Sequence, residues 1–271
     1  MNKKIKTQKV DQPLLEFRNI TVIKGDNKKV LDSVSITINA GENLAILGPN
    51  GAGKSSFIKT IAREYYPLQR DHDVLFKVLG QDRWNIFDLR FLFGIVSNDL
   101  QHTFTRDITG LETVLSGFFG SVGLYKEHLT RNMKRKAAEV IGFLELSHLK
   151  DRRINEMSSG EARRFLIGRA LVHDPKALVL DEPTNSLDLH ALYKFSNILR
   201  KIAKAGVNII LVTQNIQDII PEIDRVILMK EGKFLEDGPK GRILNGKNIK
   251  KLFGVPVEIK AKDGYYYALR A

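Results

Sequence analysis

From Leu14 to Ile23 the chain is mostly apolar and β-branched, Gly25-Asp26-Asn27 makes a turn signal, and Val30 to Ile38 alternates apolar with polar residues. Alternation at a period of two suits a strand with one buried face, so this stretch predicts a short antiparallel sheet. Asn39-Ala40-Gly41-Glu42 reads as a second turn, and Asn43 to Leu47 as a short buried strand. From Ser55 to about Glu64 the period lengthens, and Phe57, Ile58 and Ile61 fall on one face of a predicted helix. Strands are expected again at Val74 to Leu79 and Phe93 to Val96, with a helix over Ile86 to Leu92 between them.

Beyond that point the pattern changes. Leu129, Met133, Ala137, Ile141 and Leu144 recur at helical spacing with no comparable strand signal among them, so residues 99–156 read as a helical insertion. Strand signals return at Ala177 to Leu180, Val207 to Val212 and Arg225 to Met229, separated by helices over Glu161 to Leu171 and about Leu189 to Ala203. Such alternation requires crossover connections, hence a mainly parallel sheet with helices on both faces. After Glu231-Gly232 the chain turns back as a strand from Lys233 to Glu236. The expected organisation is a core over 14–98 and 157–245, the helical subdomain 99–156 inserted into it, a flexible basic tail at 1–13 and a basic C-terminal tail at 246–271 ending in Tyr265-Tyr266-Tyr267.

Composition narrows the chemistry. The 271 residues are 43% apolar and 27% charged, as in a soluble globular protein, and contain no Cys, which removes disulfides, thiolate catalysis and Cys-based metal sites together. The uncharged stretch from Thr113 to Tyr125 is too short and too rich in Gly and Ser to cross a bilayer, and residues 1–11 lack the apolar block of a secretory signal. The expected location is therefore cytoplasmic. A net charge of +12 raises the possibility of a polyanionic partner. The excess sits at 1–9, 126–153 and 240–271, and the remainder is close to neutral. Nucleic acid and an anionic membrane surface are both compatible with that distribution.

The strongest chemical signal follows the buried strand at Asn43 to Leu47. Gly48-Pro49-Asn50-Gly51-Ala52-Gly53-Lys54-Ser55 fits G-x-x-x-x-G-K-[ST] in full, with Ser56 next along the helix. Glycines let the backbone turn its N–H groups inward as an anion nest, to which the helix adds its positive end. Lys54 would reach the β- and γ-phosphates of a nucleotide, and the Ser55 hydroxyl would ligate Mg²⁺. Val179-Leu180-Asp181-Glu182 supplies the second half: Asp181 ends a strand, where open α/β sheets bind ligands, and can hold the metal shell, while Glu182 can polarise an attacking water. The fold class is that of a P-loop NTPase.

Met157-Ser158-Ser159-Gly160-Glu161 lies between these motifs, and Asn185-Ser186-Leu187-Asp188 follows Glu182-Pro183-Thr184. The order and spacing resemble the ATP-binding cassette (ABC) family of ATPases over about residues 14 to 245. That resemblance implies ATP and Mg²⁺ as ligands and a head-to-tail homodimer with two ATP molecules at its interface. It also implies that Ser158, Ser159, Gly160 and Glu161 contact the γ-phosphate held by the partner's cradle, that Asp188 ties the two sites together, and that an integral membrane permease is the working partner at the inner face of the cell membrane. Within the family, Gly94-Ile95-Val96-Ser97-Asn98 and Ser116-Gly117-Phe118-Phe119, with Ser121, Gly123, Leu124 and Tyr125, look most like cassettes for metal oxyanions or iron complexes, particularly a molybdate-type branch.

Three positions depart from the family pattern. A Gln that joins the metal to the permease-facing surface falls by position at Asn98, with Gln101 nearby. An aromatic that stacks on adenine falls near Lys24, where there is none, so base selectivity between ATP and GTP stays open. The His that contacts the γ-phosphate falls at Gln214, which can donate a hydrogen bond but cannot carry charge or exchange a proton near neutral pH. Catalysis is assigned to Glu182, Gln214 and Lys54, and hydrolysis is expected to be slow or regulated. The rival readings are a nucleotide-controlled protein on nucleic acid and a weakly hydrolysing ATP sensor.

Overall fold

The alternation at the start of the chain becomes β1 (Leu15–Lys24), which pairs antiparallel with β2 (Lys28–Ile38) on one side and with β4 (Leu75–Val78) on the other. Phe17 and Ile20 both face the core although three residues apart, because the register slips between them at Asn19, whose φ is 51°. A computed structural model describes residues 12–25, 27–68, 73–97, 107–120 and 129–270. Most of the expected N-terminal tail, Asn98, Gln101, Ser121, Gly123, Leu124 and Tyr125 lie outside these.

The second sheet has the order β5-β6-β7-β3-β8-β9. Its members are β3 (Leu44–Leu47), β5 (Phe93–Val96), β6 (Ala177–Asp181), β7 (Asn208–Thr213), β8 (Arg225–Lys230) and β9 (Lys233–Pro239), parallel throughout except for β9. Its four inner strands are apolar on both faces and feed two cores in strict alternation. Leu44, Ile46, Val179, Ile210, Val212 and Ile227 pack toward the antiparallel sheet, while Ala45, Leu47, Leu180, Leu211 and Leu228 pack toward the helices of the opposite face. The first of these cores holds α1 (Lys54–Ile61), whose Phe57 meets Phe17 and Phe234 edge-on at 5.6 and 5.9 Å between ring centroids.

Short α2 (Ile86–Leu92) leads into β5. In the expected helical insertion, α3 (Gly110–Ser116) starts at a Thr109–Glu112 capping box and α4 (Arg131–Phe143) is capped by Thr130. Ala137, Ile141 and Leu144 are buried, with Leu129 and Met133 packed at the margin. Helix α3 and the single turn Gly117–Phe119 that follows it lean on α5 (Ser159–Leu171): a Cβ on Gly110 would lie 2.5 Å from the Phe165 ring, and one on Gly117 would lie 2.3 Å from the Arg169 carbonyl oxygen. Helix α6 (Leu189–Lys204) covers the same face of the sheet through Phe195, Ile198, Leu199 and Ile202.

The basic stretch after residue 245 differs from its reading as a tail. Short α7 (Lys240–Ile243) leads into α8 (Gly246–Phe253), which is capped by the Asn245 side chain and closed by Gly254 at φ 77°. Then β10 (Val257–Lys262) and β11 (Tyr265–Arg270) form a hairpin. Its turn is Asp263-Gly264, both at positive φ, the dipeptide that a two-residue hairpin favours. Ile249 and Leu252 bury the amphipathic face of α8, so the Lys residues there form only its outer side. Among the described residues no helix is long and apolar enough to cross a membrane.

Phe57 joins both sheets through α1 and is fully buried. Phe57→Ala is expected to cost about 3–5 kcal/mol of stability, measured as a lowered midpoint in denaturant unfolding with the slope unchanged.

Candidate active site

The loop between β3 and α1 is seated by backbone hydrogen bonds to two other segments, one of which is itself tied to β2. Gly48 N–H donates to the Thr213 carbonyl at 3.1 Å, and Gly232 N–H donates to the Ala52 carbonyl at 2.8 Å, while Asp32 N–H in turn donates to Gly232 at 2.9 Å. The seat leaves no room for side chains: a Cβ on Gly48 would lie 2.2 Å from the Met229 carbonyl oxygen, and one on Gly53 would lie 2.5 Å from that of Val30. Gly53 also has φ 105° and caps α1 without a side-chain acceptor, so the first N–H groups of the helix remain available to an external anion. Pro49 is half-buried, Asn50 and Ser55 are exposed, and Ala52 is buried. Ser56 lies within α1, where its carbonyl accepts from the Thr60 hydroxyl at 2.8 Å.

Lys54 is only 4% exposed. Its ammonium donates to the carbonyls of Gly48 and Pro49 at 2.8 and 3.0 Å and pairs with Glu182 Oε1 at 3.1 Å. The cradle lysine and the carboxylate assigned to water activation therefore meet directly. Glu182 stands immediately past β6 at φ 45°, held by its N–H to the Val212 carbonyl at 2.7 Å, and its other oxygen accepts from the Asn185 side-chain amide. Left-handed backbone costs a non-glycine residue about 1–2 kcal/mol. Here it turns the Glu182 side chain back over the cradle.

Asp181, 8% exposed, and Ser55 border one cavity of about 540 Å³ between the sheet and the helical insertion. A carboxylate and a hydroxyl converging beside a phosphate nest are the hard oxygen donors that Mg²⁺ takes alongside phosphate oxygens. Ser97, the last described residue after β5, lines the same cavity, as do Arg90, Phe91, Arg169 and His173. Phe91 stacks on His173 at 3.9 Å and Phe118 meets it edge-on at 5.4 Å. Burial, and then the like charge of Arg90, bring Arg169 down to about 10, and burial lowers His173 as well.

The signature residues sit elsewhere. Ser158 caps α5 in a reciprocal box with Glu161: its N–H and hydroxyl both donate to Glu161 Oε2, at 2.9 and 2.8 Å, and its oxygen accepts from Glu161 N–H. Burial works against ionisation of Glu161, but these two donors outweigh it and hold the carboxyl below its usual range. Ser159 donates to the Ser186 carbonyl at 3.4 Å, and a Cβ on Gly160 would lie 3.0 Å from that of Ala191. The signature turn is thus packed on the segment following Glu182. Asp188 is exposed and caps α6 by accepting from Ala191 N–H at 2.7 Å.

Gln214 is half-buried between β7 and the single turn Ile216–Asp218. It borders a cavity of about 260 Å³ with Ile249, Phe253, Val255 and Val257 of the C-terminal segment, so the residues first read as a tail wall the switch position. The Lys24 ammonium lies over the Tyr65 ring at 5.8 Å from its centroid. Sequence reading gave no role to Arg163 or Asp218 and quoted Asn185 only within the run that follows Glu182. The signal for the first two is weak: Arg163 lies in the first turns of α5 beside Arg164, and Asp218 follows an apolar strand by five residues.

A glycine-lined anion nest at the mouth of a parallel strand, facing an Asp-Glu pair at the mouth of another, defines a P-loop nucleoside triphosphatase. The comparisons place it more closely. Residues 31–185 match the family described as ABC transporter. A putative ABC transporter ATP-binding protein of Streptococcus mutans is 31% identical over 254 residues, covering 92% of this chain and 95% of the relative. The hemin import ATP-binding protein HmuV of Bradyrhizobium diazoefficiens is 29% identical over 94% of each chain. A nucleotide-free ATP-binding cassette from an ABC transporter, solved by crystallography, superposes with a TM-score of 0.73 at 26% identity, covering 90% of this chain and 96% of that one. The chain belongs to the ABC transporter family as an ATP-binding subunit, and its reaction is ATP hydrolysis.

Because Gly53 combines a left-handed φ with a backbone oxygen where its Cβ would be, Gly53→Ala is expected to distort the nest and abolish ATP binding. Equilibrium binding of a fluorescent ATP analogue would show it as loss of saturable signal.

Proposed function

We propose that this chain is the ATP-driven motor of a membrane transport complex, working as a homodimer that closes head to tail on two ATP molecules and moves a separate integral permease. The observation that carries this reading is the convergence of Lys54, Glu182, Asp181 and Ser55 at the carboxyl edge of the parallel sheet, with the Lys54–Glu182 contact at 3.1 Å. The N–H groups of residues 48–55 and the Lys54 ammonium bind the β- and γ-phosphates, exchanging the Gly48 and Pro49 carbonyls for phosphate oxygens. That exchange also releases the Glu182 carboxylate to orient a water for in-line attack. Ser55 and Asp181 would hold Mg²⁺, which would supply neutralisation of the charge on the triphosphate.

Ser158, Ser159, Gly160 and Glu161 present a helix start to the γ-phosphate on the partner's cradle, and Asp188 lies beside them in the same interface. Gln214 donates its amide to the γ-phosphate without taking up a proton. The complex works at the inner face of the cell membrane, with the basic surface of the helical insertion toward the anionic leaflet. Iron complexes or metal oxyanions are the favoured cargo, supported by the hemin-import relative. The permease that copurifies with the chain identifies the cargo directly, and its transport specificity decides this finer assignment.

Two variants test the catalytic roles. Lys54→Ala should abolish nucleotide binding, whereas Glu182→Gln should bind ATP normally and accumulate as an ATP-bound dimer in size-exclusion chromatography. Turnover at the wild-type rate from Glu182→Gln would remove Glu182 from the mechanism. In single-turnover assays Gln214→His should raise the hydrolysis rate if the amide limits it; a wild type already fast and unchanged by His would show that it does not.

A further inference from the structure

Arg163 is 4% exposed, an unusual place for a guanidinium. It projects from α5 five residues beyond Ser158, and its Nη1 donates to the carbonyls of Pro183 and Asn185, the latter at 3.1 Å. Both carbonyls belong to the turn that carries Glu182. Burial lowers the pKa of Arg163, and the charge that offsets this is the carboxylate of Asp218.

Asp218 is 3% exposed and lies four residues past Gln214. It accepts from the hydroxyls of Thr213 and Thr184 and from the Asn215 amide, the last at 3.3 Å. Thr213 and Asn215 flank Gln214, while Thr184 belongs to the Glu182 turn. The Thr213 oxygen accepts in turn from Asn215 N–H at 2.9 Å. Burial pushes the Asp218 carboxyl up, against the Thr213 and Thr184 hydroxyls, with the nearby Glu182 charge adding to the rise and Arg163 opposing it. Each member of the pair thus contacts the Glu182 turn, and Asp218 also holds the Gln214 loop.

Two buried opposite charges are a poor source of stability, because desolvation takes back most of the Coulombic gain. What this pair does supply is geometry. Glu182 and Gln214 stand on separate loops after separate strands, and both must address the same γ-phosphate and water. We propose that Arg163 and Asp218 are positioning residues for hydrolysis, fixing the 182–185 turn and the 213–215 loop as one unit so that the Glu182 carboxylate and the Gln214 amide keep a set separation. The inference rests on the reading of Glu182 as the group that orients water. It also puts that turn in direct hydrogen-bond contact with the signature helix through Arg163.

The test compares Arg163→Gln, Asp218→Asn and their double variant with the wild type and Glu182→Gln in one ATPase assay, with rates expressed per bound nucleotide so that misfolded protein does not count. Asp218→Asn keeps the shape of the side chain but replaces one of its two acceptor oxygens with a donor, which loosens its hold on Thr213, Thr184 and Asn215, so it carries the test if Arg163→Gln does not fold. Loosening of a catalytic group by about 1 Å costs on the order of 100-fold, so each single variant should lose kcat by about 10- to 100-fold with the KM for ATP unchanged. The double variant should be no slower than the slower single, as expected of residues that act as a unit. Wild-type kcat in both single variants, a loss expressed in KM instead, or losses that multiply in the double variant would overturn the proposal. Wild-type turnover by Glu182→Gln would instead overturn the reading beneath it, and the two failures are separately visible.

Discussion

The N–H of Gly48 donates to the carbonyl of Thr213, and this bond joins the phosphate nest to the loop that carries Gln214. Two more backbone contacts, Ala52 to Gly232 and Gly232 to Asp32, pin the other end of the nest to the β8–β9 turn and to β2. A loop built of glycine has a high entropy cost of ordering, and these contacts, made by backbone to backbone at the edges of two sheets, hold it without side chains. The antiparallel sheet is therefore part of the site. Its Val30 carbonyl occupies the place where a Cβ on Gly53 would stand, which is why the nest can be neither larger nor looser.

Charge placement around that nest has a common logic. Lys54 and Glu182 share a buried contact in which each partner is needed elsewhere once a triphosphate binds, so their ion pair is an exchangeable one. Arg163 and Asp218 contact backbone and hydroxyl groups that no ligand replaces, so their contacts are not exchanged in this way. Both arrangements incur desolvation, and neither contributes much to folding. The difference lies in what each would fix in the proposed mechanism: the first would couple phosphate arrival to the freedom of the Glu182 carboxylate, and the second would keep the loops on which that carboxylate and Gln214 stand in register.

How legible this was in the sequence depends on how local the determinants are. The cradle at 48–55 and the Asp181-Glu182 pair were readable because each is a contiguous run placed against a strand, and the strand alternation gave both faces of the sheet. The helix α5 was readable at its apolar positions, but nothing local marks Arg163, since the groups it meets, Pro183, Asn185 and Asp218, are 20 or more residues away in the chain. The C-terminal hairpin was missed for a different reason. Its Asp263-Gly264 turn and the alternation of Val257, Ile259 and Ala261 were present, but the density of Lys drew attention to charge, and charge on the outer side of a strand says nothing about whether the strand forms.

That misreading bears on the net charge of +12. With 246–270 folded, its cations lie on the outer faces of a helix and a hairpin whose inner faces wall the Gln214 loop, so much of the C-terminal excess follows from solvating an element with a structural role. The basic residues of the insertion are different. Arg131, Lys134 and Arg135 occupy the N-terminal half of α4, where the helix dipole disfavours positive charge and where the first turn carries no acid to compensate. Arg135 finds Glu139 one turn on, at 2.8 Å, an exposed pair that contributes little. These cations bring the fold itself no gain, so in the reading proposed above the insertion is the part that would meet an anionic surface. The C-terminal segment, which borders Gln214, belongs to the catalytic side.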